Sequence, residues 1–359
     1  MNTLAQIWII AKLEIGRAFF SRRALWVYLL ALFPAVIFLA HGIDVTYKKQ
    51  RWTARGVSSA ALLDSFQTGA TDTEIRDKVG EPNSDRKWKR RRHRGESEDL
   101  EEVARRTLSY FDGKSMVMFE FEDGKLASVK KRSLLTFDED RAAYAGVFQY
   151  FYLRLAIFFG CLGIFINLFR GEMLDKSLHF WFLAPVKREI LLLGKYCAGL
   201  IASVVIFGTG TILAFLAMLA FQDSTEMWSY WQTEGGYHLT WYVIAAVLGC
   251  VGYGSVFVAA GLLLRNPIIP AVVMLLWESI NGFLPNALQK LSVLHYLQSL
   301  CPVAAPMDAN FSPALRMLLS PAAPTPAWQS IAGLLCVTAL VLFVASRAVR
   351  RLEINYGTD

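Results

Sequence analysis

From residue 144 to 169, and again from 190 to 221, the chain stays apolar for longer than a bilayer is thick. A helix rises about 1.5 Å per residue, so a hydrocarbon core of about 30 Å takes about 20 residues to cross. Four more runs, at 24–40, 239–264, 267–284 and 328–345, reach or approach that length. Lipid offers the backbone no hydrogen bonds, so such runs are confined to helices. The fold class expected is an α-helical polytopic membrane protein with about six transmembrane helices. A content of 54% hydrophobic and 13% aromatic residues lies outside the range of soluble domains and agrees.

The net charge of +7 raises nucleic acid as a partner. Lys and Arg gather at the cytoplasmic ends of membrane spans, and no zinc-finger, KH or RRM pattern occurs, so no nucleic-acid partner is expected. Cys161, Cys197, Cys250, Cys301 and Cys336 lie in apolar runs or beside a membrane face, without CxxC or Cys/His spacing. They read as small apolar residues rather than metal ligands.

Residues 170–189 separate the runs 144–169 and 190–221 with charge: Glu172, then Lys176-Ser177, an aromatic patch around Trp181, and Pro185-Val186-Lys187-Arg188. That makes a poor surface for lipid and a good one for docking a soluble partner. With Gly194-Lys195 following, the segment resembles the loop between the second and third spans of type-2 ABC exporter permeases. Glu172, Lys176, Ser177 (where Thr is commoner), Pro185, Val186, Arg188, Gly194 and Lys195 fall on that family's pattern. The resemblance implies that this loop touches a cytoplasmic ABC ATPase subunit, with Glu172, Lys176, Ser177, Pro185, Arg188 and Lys195 as candidate contacts. It also implies that ATP is bound by that subunit and that this chain carries no cofactor. A second permease copy, in a homodimer, would enclose the pathway.

Ahead of the first span, Leu4, Ile7, Trp8, Ala11, Ile15, Ala18 and Phe19 read as one apolar face, with Gln6, Glu14, Arg17 and Ser21 opposite. Residues 1–23 are therefore expected to form an amphipathic helix in the headgroup layer, touching membrane lipids. Residues 24–42 form an uncleaved first span, because the patterned segment before it is unlike a signal-peptide n-region.

Residues 43–143 are polar and charged, and are expected to fold as a small extracytoplasmic α+β insert. Thr71-Asp72-Thr73-Glu74 has the form of a capping box, and Gly80 and Pro82 stop the helix. The basic run 87–94 and the acidic run 96–102 suggest a solvated hairpin or loop. Asp112-Gly113 and Asp123-Gly124 then separate three strand-like runs into a meander. Residues 68–130 resemble the small domain of BamE/SmpA/OmlA-type lipoproteins, which implies a fold more than a role. Gly113-Lys114-Ser115 is a turn, since Leu108 stands where a phosphate loop needs its first glycine.

Arg154 and Glu278 are the conspicuous intramembrane charges. An arginine at bilayer centre costs about 2.5 to 3.5 kcal/mol, so each residue is either a pathway group or a structural one that snorkels or pairs. Gly249, Gly252, Gly254, Ser255 and Gly261 let helices approach closely. The proline-rich stretch 285–327 is too broken to span and reads as external re-entrant or interfacial helices. Residues 144–359 thus hold spans two to six. Arg170, Lys176, Lys187, Arg188, Arg265 and Arg347 fall on one side, which puts both termini in the cytoplasm.

No His-Glu-x-x-His, catalytic triad spacing or complete phosphate loop occurs, so no catalysis is expected of the chain itself. The function expected is the permease subunit of an ATP-binding-cassette exporter in a bacterial cytoplasmic (inner) membrane. The alternative is a membrane-anchored envelope scaffold whose external domain recruits partners. An ion-coupled secondary transporter would need intramembrane acids in both halves, and only Glu278 is present.

Overall fold

The computed structural model describes all residues except 1, 21–23, 94–99, 134–135, 175–180, 182, 184–185, 265–267, 282–283, 307–324 and 351–359. They group into two compact units, Met1–Leu39 with Arg141–Asp359, and Ala40–Asp140.

Five helices are long and apolar enough to cross a membrane. The first is α2 (Ala24–Thr53), preceded by α1 (Thr3–Phe20). After the polar insert, α5 (Phe137–Gly146) continues through a π-helical stretch, Val147–Ala156, into α6 (Ile157–Leu174). The third is α7 (Arg188–Leu219). The fourth runs from α8 (Ser224–Tyr230) through a π turn into α9 (Gly236–Leu263). The last is α13 (Ala327–Arg350). Between them, the described part of the fifth expected span is α10 (Ile268–Ile280), 13 residues or about 20 Å of helix. Two shorter helices follow, α11 (Asn286–Gln289) and α12 (Val293–Ser299). The polar residues between the apolar runs that end at 221 and begin at 239 are themselves helical from Ser224.

Aromatic side chains fill the interior of the first unit. Tyr144, Tyr152, Phe158, Tyr242 and Tyr253 are all fully buried. Desolvating a phenol is costly unless it bonds, and Tyr152 donates to the Phe207 carbonyl at 2.7 Å while Tyr196 donates to the Val251 carbonyl at 2.9 Å. The small residues of the fourth span act as anticipated. A Cβ on Gly261 would come within 3.1 Å of the Ile166 Cα, so α6 and α9 are in backbone contact there.

In the second unit α2 does not stop at the polar boundary read near residue 42. It continues to Thr53, helped by a Lys48–Asp44 pair at 2.6 Å. Helix α4 (Asp72–Val79) starts in a reciprocal capping box between Thr71 and Glu74. The sheet is antiparallel, in the order β1 (Ser84–His93), β2 (Leu100–Phe111), β3 (Ser115–Glu122), β4 (Lys125–Ser133). It has four strands rather than three, because the basic run pairs with the acidic one, Arg91 opposite Glu102 and Arg92 opposite Glu101. Asp123 and Gly124 both have positive φ, 49° and 80°, as a tight two-residue hairpin demands. Leu63, Ile75, Leu108, Tyr110, Val117, Phe119, Phe121 and Leu126 form the core between sheet and helices. Asn83 ties the chain entry to the sheet: its amide donates to the Trp52 and Gly56 carbonyls at 3.0 Å each and accepts from the Phe111 N–H at 2.8 Å.

Candidate functional site

Of the charged segment between α6 and α7, the described residues Trp181 and Val186 lie against the N-terminal helix. Glu172 falls in the last turn of α6, while Lys176, Ser177 and Pro185 lie outside the described residues. Trp181 and Val186, which flank the Pro-Val-Lys-Arg motif or belong to it, pack with Ile7 on a small core of Ile10, Ile190 and Leu191. A Cβ on Gly194 would sit 2.7 Å from the Ile10 side chain, so only glycine lets α1 lie this close to α7.

Lys195 has no exposed surface, and its ammonium donates to the Glu14 carboxylate at 2.9 Å. The same ammonium stands 5.3 Å from the Trp181 ring centroid and 5.5 Å from that of Phe169. A buried charge must be paired and further coordinated to be tolerated, and a carboxylate with two aromatic faces meets that need. The Gly-Lys pair thus clamps α1 onto α7, and the Lys195 side chain faces Glu14 rather than solvent. Glu14 is a correction to the polar face read from the sequence: it is 2% exposed and shares a stripe with Ile10, Ala11 and Ala18. Its spacing of seven from Ile7, two helical turns, was the available signal.

Arg188 opens α7 and donates to the Arg350 carbonyl at 3.4 Å, while the Arg350 side chain pairs with Glu189. The end of α13 is therefore pinned beside the motif, a contact with no local sequence signal.

Arg154 and Glu278 lie elsewhere in the first unit, within electrostatic range of each other. Arg154 lies on the π-helical stretch, half-buried, and interacts electrostatically with Glu278 and Tyr253. Glu278 is 1% exposed and accepts hydrogen bonds from the Val293 and Leu294 N–H groups at 3.0 and 3.3 Å and from the Ser292 hydroxyl. Ser292 in turn accepts from the His295 N–H at 3.1 Å, capping α12. Of the two sequence readings of Glu278, the geometry displays the hydrogen bond to a neighbouring helix. Among the described residues no group of three or more His, Cys, Asp or Glu side chains could hold a metal ion.

No curated protein matches this sequence. The family described as ABC-2 family transporter protein matches residues 8–351, nearly the whole chain. The protein therefore belongs to that family, as a multi-pass membrane permease component of an ABC transporter.

Proposed function

We infer that the chain is the pathway-forming subunit of an exporter, driven through residues 172–188 by a separate cytoplasmic ATPase subunit that binds the ATP. The observation that carries this reading is the packing of Trp181, Val186 and Lys195 on α1: a push on the segment reaches two helices at once. A lever of that kind suits rigid-body rocking of one half against another, which is how alternating access works in transporters. Glu172, Lys176, Ser177, Pro185 and Arg188 are assigned to the partner contact. Lys195 acts behind them, by holding α1. Arg154 and Glu278 are assigned as the intramembrane polar groups that a pathway would use.

The rest of the assignment follows the same reading. Two copies form a homodimer in a bacterial inner membrane, with α1 lying among lipid headgroups and both termini cytoplasmic. Residues 43–143 form an extracytoplasmic α+β domain whose helix and antiparallel strands are similar to the BamE/SmpA/OmlA-type fold. The envelope-scaffold alternative draws only on that insert, and nothing in the spans favours it.

The test is co-purification with the ATPase subunit from native membranes. Glu172→Lys and Arg188→Glu together are expected to cut recovery of the ATPase at least tenfold with the permease still folded. Unchanged recovery and unchanged ATP-driven export would sink the contact assignment.

A further inference from the structure

Along each strand of the insert, alternation sends one side chain into the core and the next to the opposite face of the sheet. Leu108 and Tyr110 of β2 and Phe119 and Phe121 of β3 are core residues, so Arg105, Thr107, Glu120 and Glu122 stand on the open face. The register gathers them into two rows. Trp88, Arg105 and Glu122 are successive cross-strand neighbours in one, and Thr107, Glu120 and Ser128 in the other. The rows lie two residues apart, about 7 Å along a strand.

This face is not flat. Glu120 lies opposite Ser128 and Phe121 opposite Leu126, which leaves Ala127 as an extra residue in β4. Such a bulge bends its strand. Beside it lies a cleft of about 240 Å³, lined by both rows and by Ala127.

The lining combines an aromatic surface with fixed polar groups. Trp88 is 44% exposed, while Thr107 is only 9% exposed. Both carboxylates are matched by cations: Arg105 pairs with Glu122, and Lys130 with Glu120 at 2.7 Å, where the Ser128 hydroxyl also donates at 2.8 Å. Charges paired in this way cancel, so the cleft exerts little net pull on an ion. They still bond, because a guanidinium has five donors and a carboxylate about four acceptor positions, more than one pairing uses.

A neutral ligand with many hydroxyls and one apolar face suits this lining. A sugar ring has that character. Its C–H face stacks on the negative π face of an indole, and its hydroxyls donate to carboxylates and accept from guanidinium. A phosphate or carboxylate ligand would instead face Glu120 and Glu122, and an apolar ligand would strip water from charged groups without replacing it.

We propose that this cleft binds a neutral saccharide, one or two rings of an extracytoplasmic glycan, with Trp88 as the stacking platform and Arg105, Thr107 and Glu120 as hydrogen-bonding groups. The source of the ligand rests on the external placement of the insert inferred above. Binding itself needs no ATPase subunit and is tested without one.

The experiment uses the full chain in nanodiscs, since sugar-headed detergents would compete. Maltotetraose and chitotetraose are the probes, followed by saturation-transfer NMR. At least one is expected to bind saturably with a Kd of about 1 mM or tighter, the range reached by ligands of few atoms. Trp88→Ala should weaken binding at least tenfold, and Trp88→Phe, which keeps a ring, should weaken it less. Thr107→Val keeps the shape and removes the hydroxyl, so it should cost at least threefold and reads the same cleft should Trp88→Ala fail to fold. Lys87→Ala, which alternates to the other face of β1, should change nothing. Raising NaCl from about 0.1 to about 0.5 M should also change nothing, because a neutral ligand has no charge to screen.

Binding of neither probe, or full binding by a folded Trp88→Ala variant, overturns the proposal. So does binding of tetragalacturonate alone, weakening as salt rises, which would make the face a docking surface for anions. Each of these outcomes leaves the permease reading intact.

Discussion

Lys195 stands inside a membrane-length helix with no exposed surface, and an ammonium there requires a partner that cannot leave. Glu14 is that partner. Arg17 also approaches the carboxylate, at 3.7 Å, but is too solvated to take over. Removing one member of a buried pair leaves the other uncompensated, which costs about 3–5 kcal/mol, while replacing both with apolar groups is often near neutral. Lys195→Met is therefore expected to lower the thermal stability of the purified chain sharply, and Glu14→Leu with Lys195→Met to restore most of it. The folded fraction surviving a temperature ramp, read by fluorescence-detected gel filtration, reports both. If the double variant is as unstable as the single one, the pair is not the clamp.

At the scale of elements, close packing and pairing decide which segments move together. Gly261 brings α9 onto the α6 backbone, so Gly261→Val forces the helices apart, and overpacking of this kind costs about 1–3 kcal/mol. The same thermal ramp is expected to show that loss, with no loss for Gly208→Ala, where a Cβ meets nothing within 4 Å.

In the insert, charge pairs bind sheet to helix, and they make its stability depend on pH. The Arg106 guanidinium hydrogen-bonded to Asp85, with Arg76 adding its charge, holds that carboxyl below the usual range. The Lys130 ammonium, helped by the Ser128 hydroxyl, does the same for Glu120. A depressed carboxylate contributes stability that is present above its unfolded value of about 3.9–4.3 and lost as pH falls through the folded value. Tyr110 has the opposite sign. Burial pushes its phenol up to about 12, so its contribution is complete below about 10 and lost as pH rises toward the folded value. Strands β2 to β4 in the full chain should keep constant hydrogen-exchange protection, corrected for intrinsic rates, from about pH 5 to 9. Protection should weaken below about pH 4 and above about pH 10. Equal protection at acid and neutral pH would show that these pairs contribute nothing to folding.

At the scale of the whole molecule, the alternation of spans and charged segments predicts sidedness. On the proposed topology, a cysteine at Lys187 should be blocked only by reagents that cross the membrane, and one at Asp123 by impermeant reagents added outside. Labelling of both from the same side would refute the proposed topology.

The amino-acid sequence alone determined five of the six expected membrane helices, because an apolar run of bilayer length has no other way to satisfy its backbone. It also determined the capping box and the Asp-Gly turns, which are local hydrogen-bond and φ requirements. It pointed to the 172–188 segment by motif. What it could not carry was pairing between distant residues. The strand made from the basic run needed its acidic neighbour in register, and the burial of Glu14 needed Lys195 from a helix 181 residues away in sequence. The capping of α12 by Glu278 was equally hidden, since a carboxylate in an apolar helix reads alike whether it meets substrate or a neighbour's amides. Only the tertiary structure decides such cases, because the energy of a buried charge is set by what is packed around it.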